Sequence, residues 1–589
     1  MGATLSERRV HSEHDRPRAA SQRRSQWRGV LTLAMPSLIA LAVYQALLSR
    51  LYIDDSYIFY RYAANWGHGL GPVFNRGEHV EGFSSFLWTA ILAACSALGA
   101  APEDVAPVLG IALAAGCLVL VALVARGPLK LSPWLAAGTA LLLALSPAFE
   151  TYASSGMDVA LFALVLLGAV FATGRYVESL REGELARRRA AWTAALLGAL
   201  VLVRAEGPLY AVAIGVLAAA LGATDARTGR RAPARLLPLA VAVGSTAMLL
   251  VFRRVVYGTW VPATVLAKGY TTHLAGAAIG SGGGLGNLWQ ALGWGVDYIG
   301  PPALVVLGLV AVALGTQRHH DRRLAPVPAL GAVAIGLCIA TALWSTGDWM
   351  PYRRLLVPVL SLMILLGAWG LTVIVRLAAG RLAPRASFSG PVRLAAAGGA
   401  VLGLVAGGLA SGPVAPNYEA RQLQGIGHLV AGLPRPARLL TNLAGVLPYY
   451  AGSRTYVWDM LGLTDIHNAE HGNIWSPQFG RTDPRYDFTR PFDLFVSNSS
   501  WDFALLNQTL SKGSGPWLLF DPPGWQRIPL YVVARSGGVL PDRLSRFCAC
   551  RPIRLAARER RRLLASLLAT GAVPLELLEA ARRHRPFPA

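Results

Sequence analysis

Apolar stretches of the length that crosses a bilayer recur along this chain, and no other feature limits its possible folds as strongly. A helix rises about 1.5 Å per residue, so roughly 17 to 25 apolar residues cross the hydrocarbon core. Eleven such stretches begin near residues 29, 104, 132, 157, 191, 208, 236, 299, 326, 355 and 393. With 54% hydrophobic and 15% charged residues among 589, the chain has too few polar groups to cover a water-soluble globule of its size. The sequence predicts a polytopic α-helical membrane protein of about 11 transmembrane helices.

Orientation follows from the cations. The formal charge of +23 comes mostly from Arg in short runs between apolar stretches. That is how the positive-inside rule looks and not how a nucleic-acid groove looks, so no nucleic-acid partner is expected. If the Arg-rich N-terminus, residues 1–28, is cytoplasmic, every inside loop is basic, from Arg126 and Lys130 to Arg376, Arg381, Arg385 and Arg393. The outside loops then hold Asp54, Asp55, Glu150, Asp158, Glu206, Asp297 and Asp348. No small-residue cleavage pattern follows the first apolar stretch, which reads as an anchor and not a removed signal peptide. The alternation requires that the short stretch Phe86 to Ala100 does not span, and it is expected as a juxtamembrane helix on the outer surface. An odd number of spans puts residues 411–589 outside. Mixed polarity there, with short alternating runs such as Phe492 to Val496, predicts a soluble mixed α/β domain. The division is then 1–28, a membrane region 29–410 with a first outer loop 50–103, and 411–589.

Cys95, Cys117 and Cys338 lie in apolar stretches and read as small hydrophobes. Cys548 and Cys550 flank Ala549, a spacing too tight for an easy disulfide and without the companions of a zinc site.

Polar groups cluster on the outer side. Asp54 and Asp55 stand at the end of the first span, where ionised groups are costly without a task or a partner. They can act as a general base on a sugar hydroxyl, or be interfacial acids satisfied by Arg50 and Arg61. Farther along the same loop come His68 and Glu81. Later outer loops bring Asp158; Arg204 with Glu206; Lys268; and Asp348-Trp349 with Arg353 and Arg354. Arg and Lys supply what a phosphate needs, cations and oriented donors, although any single one is more often a snorkelling side chain. The C-terminal basic segment, Arg551 to Arg585, reads as a solvated amphipathic helix with membrane lipid headgroups as the other option.

Taken in order, the stations Asp54-Asp55 with Pro72-Val73-Phe74-Asn75 and Gly77-Glu78, Ser155-Gly156, Val203-Arg204 with Glu206, Tyr257-Gly258 through Ala267-Lys268, Gly347-Asp348, and Asp459 with Gly462-Leu463 resemble the GT-C superfamily of membrane glycosyltransferases. Within it the chain looks most like the actinobacterial terminal arabinofuranosyltransferases. It departs from their pattern at Ala205 and Thr346, where Pro and Gly are expected. The resemblance implies a multi-pass enzyme of a bacterial plasma membrane, with its active site and C-terminal domain extracytoplasmic. Its donor would be a polyprenyl-phosphate sugar, decaprenyl-phosphate arabinofuranose in the nearest kin, and its acceptor a cell-wall glycan of arabinogalactan or lipoarabinomannan type. Asp54 is implied as the general base, with Asp55 supporting it or holding a divalent cation, Mg or Mn, where one is used. Arg61, Arg204, Lys268, Arg353 and Arg354 are implied as donor-phosphate ligands. His68, Glu81, Asp158, Glu206, Asp348 and Trp349 are implied as substrate-positioning residues. The alternatives are a lipid-linked-sugar transporter or flippase, and an enzyme of the same fold using another carrier sugar such as mannose.

Overall fold

The computed structural model describes residues 28–47, 53–182, 187–223, 232–267, 308–316, 324–344, 350–382, 418–476, 480–499, 502–504, 506, 517–520, 530–536, 539–555 and 557–569. Helices stand where most of the spans are expected. In chain order they are α1 (Arg28–Leu47), α2 (Asp54–Gly67), α3 (Phe86–Ala97), α4 (Pro102–Arg126), α5 (Pro133–Ala144), α6 (Pro147–Ser154) and α7 (Val159–Arg181). There follow α8 (Arg187–Val203), α9 (Gly207–Ala223), α10 (Ala232–Val256), α11 (Ala263–Ala267), α12 (Pro326–Trp344) and α13 (Val357–Leu382). Among the described residues five helices are long and apolar enough to cross a bilayer alone, or six if α5 and α6 count as one span. Of the span expected from residue 299 only 308–316 is described, and it is helical; the one expected from 393 lies outside the described residues.

Sequence chemistry explains where these helices start and bend. Pro102 opens α4 and Glu103 and Asp104 follow in its first turn, where acids meet the positive end of the helix dipole. The span expected from residue 132 is broken: α5 and α6 meet at 61°. Pro147 pushes Ser146 into extended backbone (φ −77°, ψ 118°) and cannot continue the helical ladder. The stretch Phe86–Ala97 is helical but too short to span by itself, as expected.

Helix α7 is buried along most of its length against α4, α8 and α13. Around this centre the outer helices turn apolar faces outward. On α1, Leu31, Met35, Ile39, Val43 and Leu47 recur every fourth residue and are exposed, and α10 exposes Leu236, Val243, Met248, Val251 and Val255. Continuous apolar stripes of that kind require lipid and not water as their neighbour.

The strands described in the C-terminal part are β1 (Arg438–Thr441), β2 (Tyr456–Asp459), β3 (Asn473–Ser476), β4 (Gly480–Thr482), β5 (Leu494–Ser497), β6 (Trp517–Phe520), β7 (Tyr531–Arg535) and β8 (Ile553–Arg554); β3 and β4 pair with each other, and the other six form one sheet in the order β2-β1-β5-β7-β6-β8. Strand β1 (Arg438–Thr441) runs parallel to β2 (Tyr456–Asp459) and β5 (Leu494–Ser497), and the remaining pairings are antiparallel. The alternating run expected at Phe492 to Val496 is β5, all four of whose residues are buried. Packed beside the sheet are α14 (Tyr418–Ala431) and α15 (Val446–Ala451).

The segment from α2 to α3 is welded to this sheet. Asn75 pairs with the backbone of Val457 in β2 in both directions, donating at 2.9 Å and accepting at 3.0 Å. Arg61, fully buried, donates from Nε to the Phe74 carbonyl (2.9 Å) and from its terminal nitrogens to the carbonyls of Pro448, Gly452 (3.2 Å) and Thr455 (2.8 Å) and to Asn75 Oδ1. Every guanidinium N–H meets an acceptor.

Cys548 and Cys550 are bridged, contrary to the expectation from their spacing. Ala549 adopts left-handed backbone (φ 48°), which folds the three residues back and brings the Cα atoms to 5.2 Å, within bridging range.

Buried carboxylates in the C-terminal part make its stability depend on pH. Asp502 is buried with Ser497 donating to it at 2.9 Å, and desolvation pushes its carboxyl up to about 7. Burial likewise raises Asp459 to about 6, against the pull of amide donors from Leu461 and Thr464. An unfolded Asp titrates near about 4. The folded chain therefore holds more protons than the unfolded chain between these values, so stability declines as pH rises from about 4 to about 7. Melting curves of the purified protein across that range should show the decline, and Asp502→Asn should flatten its upper half. An Asp502→Asn profile that tracks the unmodified protein would exclude Asp502 as its source.

Candidate functional site

A cavity of about 290 Å³ opens where α2, α10, α11 and the loops before α9 and α13 converge. Asp55, Arg204, Glu206, Arg253, Thr264 and Arg354 supply its polar lining. These residues come from four separate stretches of the chain, around Asp55, Arg204, Arg253 to Thr264, and Arg354, which the sequence places at different loops. Their meeting in one cavity puts them at one end of the helix bundle.

Local structure aims each group. Asp54 and Asp55 form the first turn of α2, behind Ile53 in extended backbone. Arg204 and Glu206 occupy the break between α8 and α9, where Arg204 Nε donates to Glu206 at 2.7 Å and the guanidinium lies 5.6 Å from the Phe162 ring. Asp158, just before α7 and fully buried, stands 3.5 Å behind Arg204. Arg354 follows Tyr352 and Arg353, both in left-handed backbone (φ 57° and 54°). That turn leaves Arg353 exposed and buries Arg354, whose guanidinium comes within 3.7 Å of Asp55.

Arg253, in the last turn of α10, donates from Nε to both Glu81 oxygens (3.1 and 2.8 Å). Burial raises the Glu81 carboxyl above its ordinary range and Arg253 draws it back down. Sequence reasoning missed Arg253. Its signal was the Arg253-Arg254 pair at the outer end of a span, where the positive-inside bias would leave none. Each cavity arginine thus has a carboxylate within reach, which fixes the plane of its guanidinium.

The two adjacent acids part company. Asp55 lines the cavity, with its side chain 20% exposed. Asp54 faces the C-terminal part: its oxygens accept from the amides of Gly445 (3.0 Å) and Val446 (2.8 Å) at the start of α15. Gly445 is required there, since a Cβ would stand 1.9 Å from the Asp54 carbonyl oxygen.

Of the other expected site residues, Arg61 lies away from the cavity and spends its donors on the docking described above. His68 caps the far end of α2, exposed, with its ring nitrogen 2.6 Å from the Ala64 carbonyl. Glu81 and Asp158 act on cavity arginines from behind. Lys268, Asp348 and Trp349 lie outside the described residues.

Among the described residues a divalent cation finds no ready site. Among the described residues no three His, Cys, Asp or Glu side chains gather to hold a metal. Asp54 has both oxygens on amides and Asp55 has a guanidinium beside it, so the pair does not fit one.

No family model matches the chain. It is 29% identical over 346 residues to the terminal β-(1→2)-arabinofuranosyltransferase of Mycobacterium tuberculosis, an alignment covering 53% of this chain and 52% of that protein. The chain is related to an arabinofuranosyltransferase. The resemblance read from the sequence stations is therefore found, and the chain spans about half the length of the curated relative it matches. Among solved structures, the oligosaccharyltransferase of Archaeoglobus fulgidus, in complex with Zn and sulfate, aligns with a TM-score of 0.48 at 13% identity, covering 92% of this chain and 76% of that one. The mycobacterial arabinofuranosyltransferase AftD aligns with a TM-score of 0.45 at 14% identity, covering 86% and 42%.

The Asp54 contact has a measurable consequence. Gly445→Ala should lower stability by about 1–3 kcal/mol through overpacking. It should also speed limited proteolysis of the C-terminal part. Asp54→Asn, which keeps one acceptor oxygen, should cost less, about 1 kcal/mol, the scale of a helix cap. Equal melting temperatures for Gly445→Ala and the unmodified protein would show that the contact does not hold the two parts together.

Proposed function

We propose that this chain is an inverting membrane glycosyltransferase that moves arabinofuranose from a polyprenyl-phosphate carrier, decaprenyl-phosphate arabinofuranose, to a cell-wall glycan on the extracytoplasmic face. The observation that carries this reading is one cavity in which the carboxylate of Asp55 stands with Arg204, Arg253 and Arg354. A base and a set of oriented cations are what glycosyl transfer from a phosphate carrier needs. The sequence relationship supports the choice of sugar.

In the proposed step Asp55 takes the proton of an acceptor hydroxyl as that oxygen bonds to the anomeric carbon. The bond from this carbon to the carrier phosphate breaks on the opposite side, and its electron pair leaves with the phosphate. The phosphate gains negative charge as it departs, and Arg354, Arg204 and Arg253 stabilise it there. A single displacement inverts the centre. Asp54 acts as a positioning residue, holding the first turn of α2 against α15. Lys268 follows Thr264 closely in sequence, and Asp348 and Trp349 precede Arg354, so these three are proposed to complete the phosphate and sugar contacts. An extracytoplasmic C-terminal part agrees with the Cys548–Cys550 bridge, because disulfides persist in oxidising compartments.

The test is turnover by the full chain in lipid nanodiscs with a decaprenyl-phosphate arabinofuranose donor and a short arabinan acceptor. Asp55→Asn should lower turnover by about 10²- to 10⁴-fold, the range for loss of a general base. Arg354→Ala should also lower it, and Asp54→Asn should lower it only as far as it lowers stability. Full turnover by Asp55→Asn removes it as the base. Product from a mannosyl carrier and none from the arabinofuranosyl one would keep the mechanism and reject the sugar. Carrier translocation without transfer would favour a flippase.

A further inference from the structure

A second cavity, of about 540 Å³, lies on the other side of α2 and shares no lining residue with the first. Its wall on α2 is Tyr57 and Tyr60, one turn apart, whereas Ile58 and Phe59 face the arginine cavity. From α4 come Glu103 and Asp104, and from the C-terminal part come Gln424 and His428 of α14 and Tyr450 of α15.

The enclosure is built by close contacts. Gly156 has φ 76° and a Cβ there would stand 1.7 Å from the Tyr60 hydroxyl. Gly427 lets α14 close on α15, since its Cβ would come 2.6 Å from that of Tyr450. The rings of His428 and Tyr450 pack at 4.8 Å, and the Tyr449 hydroxyl donates to Glu103.

The lining selects one class of ligand. Among the described residues its lining contains two carboxylates and no Lys or Arg, which disfavours a phosphate or any other anion. A purely apolar chain would desolvate the side chains of Asp104, Gln424 and His428 and offer them no hydrogen bond in return. An uncharged polyhydroxylated ligand satisfies both halves: phenol rings offer faces to its C–H groups, and Glu103, Gln424 and His428 offer hydrogen bonds to its hydroxyls.

We infer that this second cavity is the subsite for the acceptor glycan, an inference that rests on the transferase reading of the first. Ile53 lines the second cavity and Asp55 the first, so the two walls are at most about 7 Å apart along the chain. The turn carrying Asp54 and Asp55 is the partition between an acceptor side that has no arginine among its described residues and a donor side rich in them.

The test uses full chain in nanodiscs, with short arabinofuranose and mannose oligosaccharides as probes. Gln424→Ala and His428→Ala lie on an accessible helix face and should fold. Each should raise the acceptor KM roughly three- to tenfold, the loss of one hydrogen bond. Donor KM and slow transfer of the sugar to water should stay unchanged. Saturation-transfer NMR should show weaker binding of the same oligosaccharide to both variants. Binding of the mannose probe alone, weakened in the variants, would keep the subsite and reject an arabinan acceptor. Binding through these residues with no transfer from any carrier would keep the subsite and overturn the proposed activity. An oligosaccharide that binds both variants as well as the unmodified protein, no oligosaccharide binding at all, or a change confined to donor KM would overturn the subsite.

Discussion

Everything at the candidate site depends on the grip between α2, with the loop after it, and the C-terminal part. Two ions make it. Asp54 accepts from the amides that open α15, and Arg61, farther along α2, donates to the Pro448 carbonyl within that helix and to the Gly452 and Thr455 carbonyls beyond it. A carboxylate suits the donor-rich start of α15 and a guanidinium suits the carbonyls beyond its end. The charges are stable in a buried place because backbone donors and acceptors surround them. With α2 held in this way, Asp55 and the face carrying Tyr57 and Tyr60 are fixed without any ligand.

The arginine cavity obeys a second constraint. Bare cations at the rim of a bilayer would be costly, so each is held beside an acid: Arg204 by Glu206 and Asp158, Arg253 by Glu81, Arg354 by Asp55. A pair of this kind contributes little net stability, but it fixes geometry. Oriented donors that need no rearrangement when charge develops are the form of stabilisation that matters most in transfer chemistry.

The fold was legible in the sequence wherever one local rule decided the outcome. Apolar length located most of the long helices, and alternation located β5. Local rules also contain the break at Pro147, which was passed over because the apolar stretch runs through it. The left-handed Ala549 that closes the disulfide cannot be read from residue types, since Ala rarely adopts that backbone. Within the site, Arg204 and Arg354 were visible as cations beside outer loops. Arg61 looked the same on paper, and only its partners, about four hundred residues away in sequence, give it a different task. Arg253 was visible by the same bias that oriented the chain and went unused.

The pair Asp54-Asp55 shows why adjacency misleads. Consecutive residues of a helix point about 100° apart, so two neighbouring acids in its first turn cannot share one environment. One must face the C-terminal part and the other the cavity, and the next residues repeat the division, with Tyr57 and Tyr60 on one side and Ile58 and Phe59 on the other. A single short helix therefore separates a region of arginines from a region of phenols and acids. If it were displaced by one residue, each face would meet the wrong partner. The buried Arg61 and the close approach at Gly445 prevent that slip, so the docking of the C-terminal part and the polarity of the two cavities are one constraint expressed at two distances from Asp54.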